Sequence, residues 1–539
     1  MKLKQALNMR KILIIFLFAL LANSSYSKQK KEMSELGDFL GLCEELNLFS
    51  GSVLVMEKGE KVFEGSYGYK NQATGEKNTN DSKYRAYSIT KSFTATVILQ
   101  LVEEGKLSLD DKLSKFYPDF PKGDSINIAN LLGHTSGIPN ETDANHTVDE
   151  ETFIKYISTK PLEFSPNSNW RYSNSNYYIL GYIIKHITGQ DYDKEIEQRI
   201  LKPLGMNNSG FHFNDLIDEN KAIGYSFLSK NNATGALSYK TDHPYAAGAM
   251  YSTTTDLYKF SEAIKNNVLL KKGTMEKASV PQQGSQYALG FQLDSIMGKA
   301  QIGHTGGGPG YTSGLYRIVE DDITIVFFSN VQSLPYTVRE KIFKIVFKKP
   351  YTLPLKQPIA MDKLQKLEGV YSGSDNEFYI KADDGVLTFN ERSYGKNSLL
   401  PMSDTLFQLT EELTLAFKED SLIINFPDGS VKKSKKTDKP FVWGIIGDAT
   451  PNGWDGQDIP LELDASNPQI FSLRKFKLTK GGFQFRQNSD WSNSLSLSAN
   501  GDLIPSGYNI EVEEGIYDIT LDMTNRLNPK YDIREINDK

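Results

Sequence analysis

The chain has 539 residues, and at about 150 residues per domain that calls for three or four domains and excludes a single small binding module. With 39% hydrophobic and 24% charged residues it is a soluble globular chain with material for sizeable cores, not a disordered tail, a collagen or a multi-span membrane protein. The mild net charge of −6 gives no basic field to attract phosphate backbones, so nucleic acid is not an expected partner. The single cysteine, Cys43, excludes an intramolecular disulfide and any cysteine-rich metal site.

In chain order, Lys2, Lys4, Arg10 and Lys11 precede an apolar run from Ile12 to Leu21 and a small, polar stretch up to Ser27. This is the pattern of a cleavable secretory signal over residues 1–27. The run is shorter than the ~20 apolar residues of a spanning helix, so no integral membrane domain is expected once it is removed. Its removal takes away four positive and no negative charges, turning −6 into −10. The expected destination is periplasmic or secreted.

Residues 33–348 alternate helical and strand patterns with Gly, Asn and Pro turns, as in a mixed α/β (α+β) enzyme domain. The segment from Gly51 to Gly65 reads as two strands joined by a Lys-Gly turn. Residues 88–104 read as a helix, with Phe93, Val97 and Leu101 on one face and Gly105 as its C-terminal cap. Asp322 to Ser329 reads as a buried strand. Pro350, Pro354 and Pro358 mark a linker. Residues 361–437 then carry short apolar runs between turn clusters, which predicts a small antiparallel barrel or sandwich. The run from Lys432 to Lys439 is expected to be a solvated turn or linker. Residues 440–539 again show short strands, and the three parts share no tandem repeat.

The chemistry centres on Ser88-Ile89-Thr90-Lys91, expected at the first turn of the helix, which places the serine and the lysine on one face. A serine hydroxyl needs a neighbouring base, and a lysine amine with a lowered pKa can serve. The helix start also offers free N–H groups to a developing oxyanion. Alone the pattern is weak, because a serine that opens a helix is commonly just its cap. Two further segments change that weighting. Tyr172-Ser173-Asn174 lies 84 residues beyond Ser88, and Gly303-His304-Thr305-Gly306-Gly307-Gly308 begins its histidine 132 residues beyond Tyr172.

With these three motifs in this order, the chain resembles the serine β-lactamase and penicillin-binding-protein superfamily, in its class C-like branch. The likeness extends to Ile126–Pro139, Pro203–Asn207, Gly248–Thr253 and Tyr287–Phe291, and covers about 300 residues. The resemblance implies a β-lactamase/transpeptidase-like fold in which Ser88 is acylated, Lys91 and Tyr172 move protons, and Asn174 holds Lys91 or binds substrate. It further implies that His304 contacts the leaving group or substrate, and that the N–H groups of Ser88 and Gly307 form the oxyanion hole. A phenol of ordinary pKa near 10 would need nearby positive charge to act as phenolate, which Lys91 could supply. His134, within Gly133–Gly137, is read as structural.

The third motif departs from the common lysine. His304 is largely uncharged at neutral pH, so strong antibiotic turnover is not expected, and hydrolysis of an ester or amide through an acyl-Ser88 intermediate is the reading. The alternatives are a β-lactamase or D-Ala-D-Ala carboxypeptidase, and a non-catalytic glycan- or cell-wall-binding protein with a degenerate hydrolase domain. There is no G-x-S-x-G elbow, no phosphate loop and no H-E-x-x-H, and the histidines at 134, 146, 186, 212, 243 and 304 form no close ligand pair. No metal or other cofactor is expected. The partner is a small-molecule, peptide or ester substrate. Residues 361–437 resemble the lipocalin-like appendage of such hydrolases. Residues 440–539, through Gly444–Asp455 and Phe483–Trp491, resemble β-sandwich modules of outer-membrane starch-binding proteins, which implies glycan contacts for Trp443, Trp454 and Trp491.

Overall fold

A computed structural model describes residues 34–536, apart from 142–148, 237–243, 333, 374–376, 392–394, 439–441, 465–466, 468, 499–500, 505–506 and 525–528. The expected signal segment, His146 and His243 therefore lie outside the described residues. No helix among the described residues is long and apolar enough to cross a membrane.

The first unit is built on one antiparallel sheet. Its strands are β1 (Gly51–Glu57), β2 (Glu60–Tyr67), β3 (Gln292–Ile296), β4 (Lys299–Gly308), β5 (Tyr311–Ile318) and β6 (Ile323–Ser329), in spatial order β2-β1-β6-β5-β4-β3. The expected hairpin is β1 and β2, and the expected buried strand is β6. Successive side chains alternate between the two faces of a strand, and here both faces are covered. Leu54, Met56, Val326 and Phe328 enter a large helical core on one face. Val53, Val55, Ile325 and Phe327 enter a second core on the other. That double burial is why these strands read as continuous apolar runs. The second face is covered by α1 (34–45) and, at the far end of the unit, by the helix Tyr336–Val346.

On the first face lie α2 (Thr90–Glu103) and α3 (Asn174–Thr188); the helix Tyr336–Val346 is α4 below. Gly105 follows α2 with φ +70°, the left-handed conformation of a C-terminal glycine. One expectation is corrected at the other end. Ser88 does not open the α-helix but lies in a separate one-turn 3-10 segment, Tyr87–Ile89, and α2 begins at Thr90.

After the proline-bearing connection, eight antiparallel stretches follow. They are β7 (Gly369–Ser372), β8 (Glu377–Asp383), β9 (Val386–Glu391), β10 (Gly395–Ser398) continued by β11 (Leu400–Pro401), β12 (Leu406–Gln408), β13 (Thr414–Lys418), β14 (Ser421–Asn425) and β15 (Val431–Thr437). β10 pairs with β9 and β11 pairs with β12, with only Leu399 between them, while β7 pairs with β15. The path thus returns on itself as a barrel around Phe378, Ile380, Leu415, Leu422 and Ile424. The lysine-rich run is therefore not a linker. Lys432 to Lys436 belong to β15, which closes the barrel between β7 and β14, with Ser434 turned inward and the lysines at 433 and 435 outward. The run reads as loop because only one of its two faces is buried, and that face carries a serine.

The remaining residues form two antiparallel sheets, one containing Trp443–Ile446 and Gly481–Gln487, the other Ile470–Leu478 and Gly515–Asp522. Phe483 and Phe485 of the first share one core with Ile519 and Leu521 of the second, which makes a sandwich.

Candidate active site

The site begins where the chain leaves the short pair Tyr84–Arg85 against Tyr251–Ser252 and turns into α2. Tyr87 sits at φ +46°, a conformation that costs a non-glycine residue about 1–3 kcal/mol and recurs at functional turns. Its hydroxyl holds it there by donating to the Pro309 carbonyl at 2.8 Å. The reward is the aim of the next residue. Ser88 faces Lys91, whose Nζ lies 3.1 Å from Ser88 Oγ.

Lys91 is fully buried, because α2 is covered on nearly all sides. Burial disfavours the ammonium form, and the Lys91 pKa is pushed well below its ordinary value. Its remaining partners are two carbonyl oxygens, Asn174 Oδ1 at 2.7 Å and the Ala247 backbone at 2.8 Å. Nζ donates to both and to Ser88 Oγ, so three oxygens fix the amine beside the serine, and it is burial, not the number of partners, that favours its uncharged form.

Tyr172 and Asn174 arrive together at the start of α3. Asn174 is its first residue, and its own N–H donates to Asn140 Oδ1 at 2.7 Å. Tyr172 hydrogen-bonds Ser88, and its ring stands 4.9 Å from Lys91 Nζ. Burial raises the phenol well above its usual range, with the Ser88 bond working the other way. Lys91 is thus driven down and Tyr172 up, which separates their proton-carrying roles. His134, at φ +58°, stacks 4.4 Å from the Tyr172 ring, and its Nδ1 accepts from the Ser173 N–H at 3.2 Å. It braces the turn that carries Tyr172, and burial holds its imidazole neutral.

His304 comes from β4. Its Nδ1–H donates to the Thr305 carbonyl at 2.6 Å, which leaves Nε2 to accept from Tyr287 Oη at 3.0 Å. Burial first, and Lys91 second, push this imidazole down to about 3. The expected contact between His304 and a leaving group or substrate is corrected here. The side chain is 1% exposed and both ring nitrogens are engaged, so it forms the wall behind the site.

β4 then passes the turn that carries Ser88 at close range. A Cβ on Gly306 would lie 2.1 Å from the Ala86 carbonyl oxygen, whereas one on Gly307 meets nothing within 4 Å. Gly306 is the close approach, and Gly307 faces open space beside Ser88, where its N–H can share an oxyanion with that of Ser88.

Three contributors were not singled out from sequence. Tyr287, known only as part of a recurring segment, engages His304 Nε2 at 3.0 Å. Gln292 Oε1 accepts from both Thr305 N and Thr305 Oγ1, at 3.0 and 3.1 Å. The Ala247 carbonyl had no sequence signal, since any residue supplies one. Among the described residues no group of three or more His, Cys, Asp or Glu is placed to hold a metal.

Of the three tryptophans assigned to glycan contact, Trp443 is corrected. It is 3% exposed in the sandwich core and cannot reach a sugar ring. Trp454 and Trp491 lie together elsewhere, their ring centroids 6.1 Å apart, with Trp491 47% exposed and the Arg486 guanidinium 4.4 Å over its ring.

The family profile described as Beta-lactamase matches residues 39–344, which contain Ser88, Lys91, Tyr172, Asn174 and His304. Penicillin-binding protein 4* of Bacillus subtilis (strain 168) is 27% identical over 457 residues, covering 76% of this chain and 99% of that protein. The octameric penicillin-binding protein homologue from Pyrococcus abyssi is 26% identical with a TM-score of 0.53, covering 75% of this chain and 99% of that one. A D-stereospecific amidohydrolase from Streptomyces sp. is 25% identical with a TM-score of 0.50, over 60% of this chain and 99% of that chain. The profile spans more than half of the sequence and encloses every residue around Ser88: the chain belongs to the beta-lactamase family, a family of serine hydrolases.

Proposed function

We propose that the protein is an exported hydrolase that cleaves an amide or ester bond through an acyl-Ser88 intermediate, without a metal or other cofactor. The observation that carries this reading is the placement of Lys91. Two carbonyls hold its Nζ 3.1 Å from Ser88 Oγ in a fully buried position, and burial favours the neutral amine, the form that can take the serine proton. Attack then forms the Ser88–carbon bond, while the substrate oxygen takes negative charge between the N–H groups of Ser88 and Gly307. The departing nitrogen or oxygen takes its proton from Tyr172, which regains one from Lys91. Water reverses the sequence to free the acid and restore Ser88.

The neutral, walled-in His304 supports an amide or ester substrate over an anionic β-lactam, because the third motif supplies no fixed cation for a carboxylate. The relative named D-stereospecific amidohydrolase favours the same reaction class.

The test is turnover by the secreted form, with the Ser88→Ala rate subtracted, on a short nitrophenyl ester, a D-aminoacyl anilide and a chromogenic cephalosporin. Ser88-dependent turnover of the ester or anilide, with the cephalosporin slowest, is the expected result. A covalent serine probe should add its mass to the wild type and not to Ser88→Ala. No labelling and no turnover would leave the non-catalytic binder as the reading.

A second reading concerns the C-terminal sandwich, where the adjacent rings of Trp454 and Trp491 support contact with a glycan. Pull-down on insoluble starch and on peptidoglycan, repeated with Trp491→Ala, tests it. Equal retention of the two proteins removes the idea.

A further inference from the structure

A cavity of about 790 Å³ opens beside Tyr172 and Thr305 and runs along the β3–β4 edge of the sheet to α4 and to the barrel, where Thr410 and Glu412 complete its wall. Those two residues belong to the turn between β12 and β13, and that turn is not free to move. Glu411, between them, sends its carboxylate into the catalytic unit. There it pairs with the fully buried Lys341 and with Lys344 at 2.8 Å, and accepts from the Thr352 N–H at 3.1 Å. The Glu411 N–H in turn donates to Glu340 Oε2 at 3.1 Å. The barrel therefore contributes a fixed piece of wall to a cleft that starts at the catalytic tyrosine.

The charge on that wall is unbalanced. Asp294 and Glu412 line the cleft as exposed carboxylates with no cation within ion-pair distance among the described residues. Glu340 shares its charge with Lys344 at 3.6 Å. The one guanidinium among the described lining residues, Arg339, lies 4.6 Å over the Tyr336 ring and bonds Tyr316. A further observation points to what is missing. Gln301, paired across the strands with Asp294, lines the same cleft at 5% exposure, and its Oε1 has no hydrogen-bond donor. A buried carbonyl oxygen left without a donor is destabilising, and the N–H of a ligand that displaced the atoms covering it would satisfy it.

Position decides which half of the substrate reaches this cleft. The acyl carbon sits at Ser88 with its oxygen toward Gly307, and Tyr172 hands its proton to the departing group. The cleft that opens at Tyr172 therefore receives the leaving group. We propose that the enzyme selects substrates whose leaving group carries an ammonium, read by Asp294, Glu412 and Gln301, with the barrel turn as a specificity element. This inference rests on the serine-hydrolase reading above.

Three acetate esters test it, those of 4-(aminomethyl)phenol, 4-(hydroxymethyl)phenol and 4-hydroxybenzoic acid, which present a cation, a neutral group and an anion on one frame. Rates are taken with the Ser88→Ala background subtracted and each divided by its hydroxide-catalysed rate. The expected kcat/KM is about tenfold higher for the aminomethyl than for the hydroxymethyl ester, as two exposed carboxylates acting on one cation would give, with the carboxyphenyl ester lowest. In Asp294→Asn/Glu412→Gln the cation-to-neutral ratio should fall to near one. Gln301→Met should lower it about threefold, for the loss of one hydrogen bond. Equal rates for the three esters, or preference for the carboxyphenyl ester through Arg339, would overturn the inference while leaving the Ser88 chemistry standing. Absence of Ser88-dependent turnover of the neutral ester would overturn the hydrolase reading, and this inference with it.

Discussion

Replacing Asn174 by aspartate changes one atom and reverses the electrostatics of the base. Asn174 Oδ1 lies 2.7 Å from Lys91 Nζ, so Asn174→Asp puts a carboxylate at that distance from a buried amine. With an effective dielectric constant of ~20, a unit charge pair at this separation gains about 6 kcal/mol. The carboxylate loses part of that gain to its own desolvation. Even a third of it, about 2 kcal/mol, raises the Lys91 pKa by about 1.5 units and lowers the neutral-amine population about 30-fold at any pH below it. The assay is kcat/KM against pH on an uncharged ester, whose acid limb reports the base in the free enzyme. The expected outcome is a lower rate at neutral pH, an acid limb displaced upward by at least ~1.5 units, and recovery of rate at alkaline pH. An acid limb that stays in place, with the rate at pH 7 retained, would refute Lys91 as the group that takes the Ser88 proton.

Three further outcomes are expected. Gly306→Ala should abolish activity and lower stability, since its Cβ would overlap the Ala86 carbonyl, whereas Gly307→Ala, with open space at that position, should leave the melting temperature within a degree or two of wild type; paired thermal melts and ester turnover check both. His304 has a folded pKa of about 3 against an ordinary value of 6.5, so between these limits the unfolded chain binds the extra proton. Stability should therefore fall as pH drops through this window, by up to about 1.4 kcal/mol per unit for each such histidine. Urea melts at pH 7, 5.5 and 4.5 should show this, and His304→Phe should flatten the slope. Glu411→Gln leaves the buried Lys341 without its counter-charge and should cost about 3–5 kcal/mol, whereas Lys341→Met/Glu411→Leu should cost less than the single change; chemical denaturation of the three proteins decides it.

Local spacing made part of this protein legible from the amino acids alone. Ser88 and Lys91 are three residues apart, so one turn of backbone brings them together whatever the rest of the chain does, and Tyr172 and Asn174 share one helix start. The central sheet strands announced themselves because burial on both faces favours consecutive apolar residues, as in Val53–Met56 of β1 and Ile325–Phe328 of β6. The cap at Gly105 follows from the steric freedom that only glycine has at that φ. The order of the three motifs was enough to bring Ser88, Lys91, Tyr172 and the strand that faces them into one site.

What depends on distant packing was out of reach. Trp443 and Trp491 look alike in sequence, and only the sandwich core decides that one is buried and the other half exposed. His304 reads as a group poised at the substrate, but Tyr287 and the Thr305 carbonyl occupy both its nitrogens. The lysines of β15 carry no apolar signal, and their strand exists because the barrel needs its neighbours paired on both sides. Lys341 and Glu411 stand 70 residues apart in the chain, and their buried contact sets where the barrel meets the cleft. A local pattern is written by the backbone geometry of one turn or one strand. Burial, charge pairing and the walls of a cavity are sums over elements that the chain brings together only when it folds.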